Sequence, residues 1–195
     1  FVWAIMHLWH RQHKRLNDKI SKLSMTYSQF FNRVKLDQIS RIEGTSVFLS
    51  KDCDHMPLSI IKYLEHSNCL SEQVVILTIL SHTIPRIPKG ERIFVQHFAN
   101  GFVQVIAHHG FMQSPRISTI LKGAHTKGLD IDVNHVSFFL LSVIPVLGAR
   151  LNGLRGLGAR IFRLLLRNTT KPAKFFEIPY QKVVELGVQF KIADY

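Results

Sequence analysis

The sequence is poor in the residues from which enzyme centres and metal sites are most often built. It contains 2 cysteines and 13 acidic residues among 195. Cys53 and Cys69 make neither a disulfide framework nor a zinc-ligand spacing, so we expect two reduced thiols. The acidic residues are scattered singly, and no Walker loop, nucleophile elbow or HExxH motif is present. These absences predict a chain that is not an enzyme, without catalytic residues, metal ligands or a cofactor.

A long apolar run is also missing. Residues 1–9 are largely apolar, but a membrane-spanning helix needs about 20 such residues. The basic cluster of residues 10–15 follows at once, and lysine and arginine are retained on the cytoplasmic side of a span. We interpret residues 1–9 as the last turns of a membrane span. The alternative is an amphipathic helix with a solvated basic end. No small-residue cleavage site of a signal peptide follows the run.

Positive charge is what the sequence has in excess. Its 25 lysines and arginines give a net charge of +12. Such an excess indicates an anionic membrane surface, an anionic ligand or nucleic acid as a partner. Aromatic residues are not interleaved with the basic clusters, as they are in RNA-stacking modules, so we expect no nucleic acid. With 46% hydrophobic residues the chain can still build a core.

Helical spacing dominates residues 1 to about 34, and it gathers basic residues on one face. The members of this basic face are Arg11, Lys14, Arg15, Lys19 and Lys22. We predict that the basic face lies over anionic lipid headgroups, each contact contributing about 1 kcal/mol. The alternative is a solvated face on a linker helix. His7, His10 and His13 also lie three residues apart, but no carboxylate or cysteine accompanies them, so we expect no metal there.

The middle of the chain alternates strand-like and helical segments. Residues 45–50 and 73–80 are β-branched apolar runs typical of buried strands. Between them Pro57 begins a helical pattern, so we predict a βαβ unit with two parallel strands. Asn100-Gly101 between two further strand-like runs is a strong hairpin signal. His108 and His109 at the hairpin's end have no acidic residue nearby, which favours strand-end packing over acid/base chemistry.

The last third of the chain combines a helical pattern, two strand-like runs and a glycine- and arginine-rich stretch. Ser114 and Pro115 predict a helix start, Gly128 its end, and residues 135–141 a strand. Residues 144–158 look irregular, and their Gly153-x-x-Gly156-x-Gly158 pattern is a weak nucleotide-loop signal. Residues 159–166 look helical, either as a domain helix with exposed arginines or as a basic surface helix. Residues 183–192 alternate as a strand does.

These segments together predict an α/β fold with a mixed sheet of about five to six strands, flanking helices and an N-terminal helical leader. We place the end of a membrane span and a basic linker helix in residues 1–40, and an α/β domain in residues 41–195.

Several short motifs occur in the order seen in one family. They are Trp9-His10-Arg11, residues 44–49, Pro57 with Leu64, His66 and Asn68, residues 74–78, 85–88, 91–92, 101–102 and 110–112, Phe162, Arg167-Asn168, Phe176 with Ile178-Pro179, and residues 183–187. In this order the chain resembles the C-terminal cytosolic region of the KUP/HAK/KT potassium uptake permeases. It departs from the family after residues 138–140, where Leu141-Ser142-Val143 stands in place of the usual Gly-Arg-Glu.

The resemblance implies a parent protein that imports potassium together with protons through a twelve-span domain in the inner plasma membrane. The ion-coupling residues would lie in those spans, and this chain would lie on their cytoplasmic face. The resemblance further implies a role in regulation or homodimerisation. It also implies cyclic di-AMP as a ligand in some relatives, with no binding residues that can be assigned here.

Two rival functions follow from the charge. One is a ligand-sensing module whose basic loops hold a phosphate-bearing nucleotide. The other is a free-standing basic protein on membranes or nucleic acid, which would use the basic face together with the arginines between residues 150 and 167.

Overall fold

The computed structural model describes residues 2–34, 36–131, 135–147, 161–162, 164–165 and 172–192. The helices in this part of the chain are α1 (Val2–Leu23), α2 (Tyr27–Arg33), α3 (Leu58–Ser67), α4 (Ile117–His125) and α5 (Pro172–Phe175). The strands are β1 (Met25–Thr26), β2 (Ser40–Ser50), β3 (His55–Met56), β4 (Cys69–His82), β5 (Ile93–His97), β6 (Phe102–Gly110), β7 (Val136–Leu147) and β8 (Val183–Ile192).

A six-stranded mixed sheet, formed by the described residues, organises the fold. Its order is β5-β6-β4-β2-β7-β8, and every neighbouring pair is parallel except β5 with β6. The predicted α/β class, mixed sheet and leading helix are confirmed. The βαβ unit is also confirmed, since α3 connects the parallel strands β2 and β4. Taken in chain order, the parallel strands stand 3-2-1-4-5, the order of a doubly wound sheet.

Apolar side chains alternate between the two faces of the sheet and build a core on each. On one face Val75 and Val105 pack with α4 through Ile120 and Leu121. On the other face the buried side chains come from the sheet and from α2 and α3, and they include Phe30, Ile60, Ile76 and Phe102. Helices on both faces explain why the central strands read as continuous apolar runs.

The turn between β5 and β6 requires glycine. Asn100 and Gly101 both have positive φ, 60° and 74°, which is the conformation that Asn-Gly favours in hairpins. The Gly101 carbonyl accepts from the Val74 amide at 2.9 Å, so the turn lies against β4. A Cβ on Gly101 would collide with the carbonyl oxygen of Glu72. The hairpin prediction is therefore confirmed. The close approach of the turn to β4 explains why residue 101 is a glycine.

Replacing Gly101 with alanine should lower the free energy of unfolding by more than about 1 kcal/mol, because both the positive φ and the Glu72 backbone oppose a side chain. Gly90→Ala is the matched control, since a Cβ there meets nothing within 4 Å. Urea unfolding of both variants checks this expectation. Equal stability of the two variants would contradict it.

One local prediction, at the chain's start, needs correction. The leading helix does not run to residue 34 but ends at Leu23, and α2 begins anew after Thr26. Thr26 and Gln29 form a capping box, in which the Thr26 hydroxyl accepts from the Gln29 amide and the Gln29 side chain accepts from the Thr26 amide. The pairing of β1 with β3 holds this break in place.

Two further predictions, both in the C-terminal half, need correction. Ser114 does not cap α4, which begins at Ile117 because the Ile117 amide donates to the carbonyl of Phe176 at 3.3 Å. Residues 144–147 are not irregular but continue β7. Pro145 is tolerated there because, in the described chain, β7 pairs with β2 only as far as Phe139 and with β8 alone beyond it.

Candidate functional site

Helix α1 carries the basic face predicted from the sequence. All five members, Arg11, Lys14, Arg15, Lys19 and Lys22, are exposed. At about 3.6 residues per turn they fall on one side of the helix. The half-buried residues lie on a different side and are Ile5, Leu8, Trp9, Gln12, His13, Leu16 and Ile20. No residue of α1 is fully buried, so the helix rests on the domain without entering its core.

The first turn of α1 is apolar and exposed. Val2, Trp3 and Met6 are 72%, 77% and 63% accessible. An exposed tryptophan beside a basic cluster is the arrangement found at membrane–water interfaces. None of the helices in the described ranges is both long and apolar enough to cross a membrane.

The inner side of α1 contacts two other parts of the molecule. The ring of Trp9 lies 5.4 Å from that of Phe162, and it also stacks on His13. Burial lowers the pKa of His13, and the charges of Lys51 and His10 lower it further. Lys51 directly follows β2, so α1 lies near the carboxyl end of that strand.

Acidification should therefore loosen α1. Because the pKa of His13 is lowered in the folded protein, a detached helix binds the proton more readily, and docking weakens as pH falls below about 6.5. Both tryptophans of the chain lie in α1, so their emission reports on this helix alone. We expect a red shift between about pH 7.5 and about pH 5 that His13→Gln abolishes. The exposed His66→Gln is the control and should keep the shift; loss of the shift in both would contradict this assignment.

The carboxyl edge of the sheet contains a topological switch point between β2 and β7. Their pairing ends at Phe48 and Phe139. Beyond it β2 remains paired with β4 as far as Ser50, while β7 continues with β8. In doubly wound sheets, ligands bind in the crevice at this position. Lys51 supplies a cation there, and His13 approaches it from α1.

The loop after β2 is anchored to the sheet by buried polar groups. The Gln104 side-chain amide donates to the carbonyl of Cys53 at 2.7 Å, and the Thr78 hydroxyl donates to the carbonyl of Asp52 at 3.3 Å. Burial acts to raise the pKa of Asp52, but the Asp54 amide and His55 hydrogen-bond its carboxylate, and the net effect is a lowered pKa. These contacts fix the shape of the loop.

Cys53, the thiol of this loop, is partly buried. Burial raises the pKa of the Cys53 thiol, which leaves it a poor nucleophile at neutral pH. Both Cys53 and Cys69 are free thiols. Within the described ranges, no group of three or more His, Cys, Asp or Glu side chains is placed to hold a metal.

A groove of about 760 Å³ lies between α2 and α3. Phe30 and Leu58 form its buried floor, and Arg33 and the Lys62–Glu65 ion pair stand at its rim. Sequence reasoning missed it because α2 was not separated from α1.

The histidine pair predicted at the end of the hairpin is split between the two faces of the sheet. His108 contacts His82 at the end of β4, whereas the Nδ1 atom of His109 is buried without a hydrogen-bond partner. Sequence reasoning missed His82 because it lies 26 residues from its partner. The glycines 153, 156 and 158 and the arginines between residues 150 and 160 lie outside the described residues, as do Arg163 and Arg167.

Comparison with known proteins identifies the family that this chain resembles. The K+ potassium transporter C-terminal domain matches residues 43–192. A "Probable potassium transport system protein Kup" of Nitrosomonas eutropha is 32% identical over 98% of this chain, and one of Pseudomonas putida is 33% identical over 98%. A protein of the same name from Pseudomonas aeruginosa is 31% identical over 98%.

The chain spans 30% of the length of these relatives. No solved structure matches it. The match of the family over most of the α/β unit confirms the resemblance inferred from the ordered motifs. The chain therefore belongs to the family of K+ potassium transporter C-terminal domains.

Proposed function

We propose that this chain is the regulatory C-terminal domain of a Kup-type potassium uptake transporter, held at the cytoplasmic face of the inner membrane by α1. The family and the names of the relatives support a potassium transport system. Because the chain spans 30% of those relatives, the ion path and any proton symport belong to the remainder. The domain itself acts without enzymatic chemistry.

The observation that carries membrane attachment is the layout of α1. Its exposed apolar first turn, with Trp3 and Met6, is followed at once by the basic face. An apolar end can enter the headgroup region while the cations contact anionic lipid. The inner side of α1 meanwhile rests on the α/β domain through Trp9.

Flotation with vesicles tests this attachment. We expect the chain to float with phosphatidylglycerol-containing vesicles at low salt, to float less at high salt, and not to float with neutral vesicles, because such contacts are screened. Equal flotation with neutral and anionic vesicles would refute a role for the basic face.

We also propose the division into a membrane-proximal segment, residues 1–40, and a regulatory domain, residues 41–195. The start of the family match at residue 43 supports it. Phe30, buried against Phe102, fastens the end of the first segment to the sheet.

Homodimerisation is a further part of the proposal. The exposed apolar residues Phe94, on β5, and Phe111 and Met112, just after β6, support it. Analytical ultracentrifugation decides it: a single monomeric species at high concentration would refute a dimer formed by this domain alone.

A second candidate function is nucleotide sensing at the switch point. The crevice between β2 and β7, with Lys51 beside α1, favours it, because a cation at this position suits a phosphate. Calorimetry with cyclic di-AMP and adenine nucleotides tests it. Nucleotide sensing is supported if the unmodified chain and Lys89→Gln release heat on binding a nucleotide and Lys51→Gln does not. No heat with any nucleotide would exclude it.

The remaining candidate is a free-standing basic protein. The DNA upstream of the region that encodes this chain distinguishes it from the main proposal. Hydrophobic spans in the same reading frame support the transporter, and their absence would favour the free-standing protein.

A further inference from the structure

Two histidines from different strands share a hydrogen bond at the carboxyl ends of β4 and β6. His82 Nε2 lies 2.7 Å from His108 Nδ1. Leu80 is the registered partner of His108, and His82 lies two residues further along β4, so both side chains emerge on one face of the sheet. The contact therefore joins two strands that the backbone ladder already holds in register.

This distance permits one proton between the two nitrogens. One imidazole donates and the other must accept with a lone pair. The pair stays closed when both rings are neutral, and also when one ring is an imidazolium, which makes the hydrogen bond charge-assisted. A second added proton removes the acceptor and leaves two cations face to face, so the rings must separate.

The pair is linked to the edge strand β5 through Phe94. The Phe94 ring meets His108 edge-on at 5.3 Å between centroids. Lys127, just beyond α4, places its ammonium 5.5 Å from the same ring and donates to the carbonyls of Gly90 and Ile93. β5 has β6 as its one strand neighbour in the described sheet, and its Ile93 and Val95 pack against the core. The contacts of Phe94 add to this attachment of β5.

The charged and titratable groups around the pair are cationic or neutral. Lys127 lies behind Phe94, Arg92 donates its Nε hydrogen to the carbonyl of Ile87, and His109 adds a third imidazole. In the described part of the chain, neither His82 nor His108 has a carboxylate within ion-pair distance. Extra protons on the pair are therefore not offset by a nearby anion.

Burial, and then the charge of His82, lower the pKa of His108. Burial also lowers the pKa of His109; the Leu80 carbonyl opposes this shift and His82 adds to it. The lowered pKa values of His108 and His109 favour neutral rings at neutral pH. The hydrogen bond between His82 and His108 is therefore formed at neutral pH. Protons enter as pH falls below the ordinary histidine range.

We propose that His82 and His108 form a proton-sensitive clasp that holds β5 on the sheet at neutral pH and releases it on acidification. The inference stands on the geometry of the pair and its link to Phe94. It does not depend on the proposed transporter role, but it would give that domain a means of responding to internal pH.

Hydrogen exchange of the whole chain tests the clasp. Opening of the β5 amides, corrected for intrinsic exchange rates, should rise about tenfold or more from about pH 7.5 to about pH 5, relative to the central β4 amides. In His82→Gln this rise should vanish, because glutamine can hydrogen-bond but does not titrate. His97→Gln, an exposed histidine at the end of β5 itself, is the matched control and should keep the rise.

Histidine NMR titration provides a second readout on the unmodified chain. His82 and His108 should titrate as a coupled pair in two steps, and the remaining ring should titrate in one step in His82→Gln. Independent single-step titrations in the unmodified chain would overturn the proposal. The proposal would also be overturned if the opening of the β5 amides did not depend on pH, or if its rise on acidification were the same in His82→Gln.

Discussion

Replacing Phe48 with alanine should cost about 3–5 kcal/mol of the free energy of unfolding. Phe48 is fully buried in β2, the strand from which the sheet extends both ways. Its ring stacks on Phe139 at 4.6 Å and lies 5.9 Å from Tyr63 of α3. The substitution removes contacts to β7 and to α3 at once, and the rigid parallel strands on both sides cannot close the cavity.

Tyr180→Ala is the matched control, because Tyr180 is 74% exposed and its loss leaves no cavity. We expect a change within about 0.5 kcal/mol there. Chemical denaturation with circular dichroism measures both variants. A cost below about 1 kcal/mol for Phe48→Ala would mean that β2 is not the centre of the core.

Neutralising part of the basic face should have the second large effect, on membrane binding. The variant replaces Arg11, Lys14, Arg15 and Lys22 with glutamine, and leaves Lys19 unchanged because it makes other interactions in the chain. Each cation contributes about 1 kcal/mol at an anionic surface, so partition onto such vesicles should fall roughly a hundredfold to a thousandfold. Glutamine is a good helix former, so α1 should persist.

A variant with four other exposed cations replaced controls for net charge. It carries glutamine at Arg33, Arg86, Lys89 and Lys122. Quantitative sedimentation with vesicles should show near-normal binding for this control. Equal losses in the two variants would mean that binding follows net charge and that α1 has no special part.

The central strands and the hairpin could be predicted because their signals are local. The apolar run of residues 73–80 is long enough only for a strand buried on both faces, and Asn100-Gly101 specifies its own turn conformation. The polar beginnings of β2 and β4 could not be predicted. They pair because Arg41 reaches across to donate to the carbonyls of Ser71 and Asn100, both at 2.9 Å, and such contacts join distant residues.

The candidate site was only partly predictable for the same reason. The basic face of α1 follows from helical spacing within one segment. The contact between His82 and His108, the approach of His13 to Lys51 and the groove beside α2 depend on strand order and on where α1 rests, and neither is encoded in a local pattern. The break between α1 and α2 could have been predicted from the Thr-x-x-Gln capping box at Thr26. The helical periodicity of the segment does not reveal it.

Uptake of rubidium, a potassium analogue, tests the central claim most directly. The complete transporter, a version that ends before residue 43, and this chain alone would each be expressed in cells deficient in potassium uptake. We predict that the shortened transporter still imports rubidium, at a rate different from that of the complete one, and that this chain alone imports none. Uptake by this chain alone would contradict the account. So would a shortened transporter that matches the complete one in rate and in its response to pH.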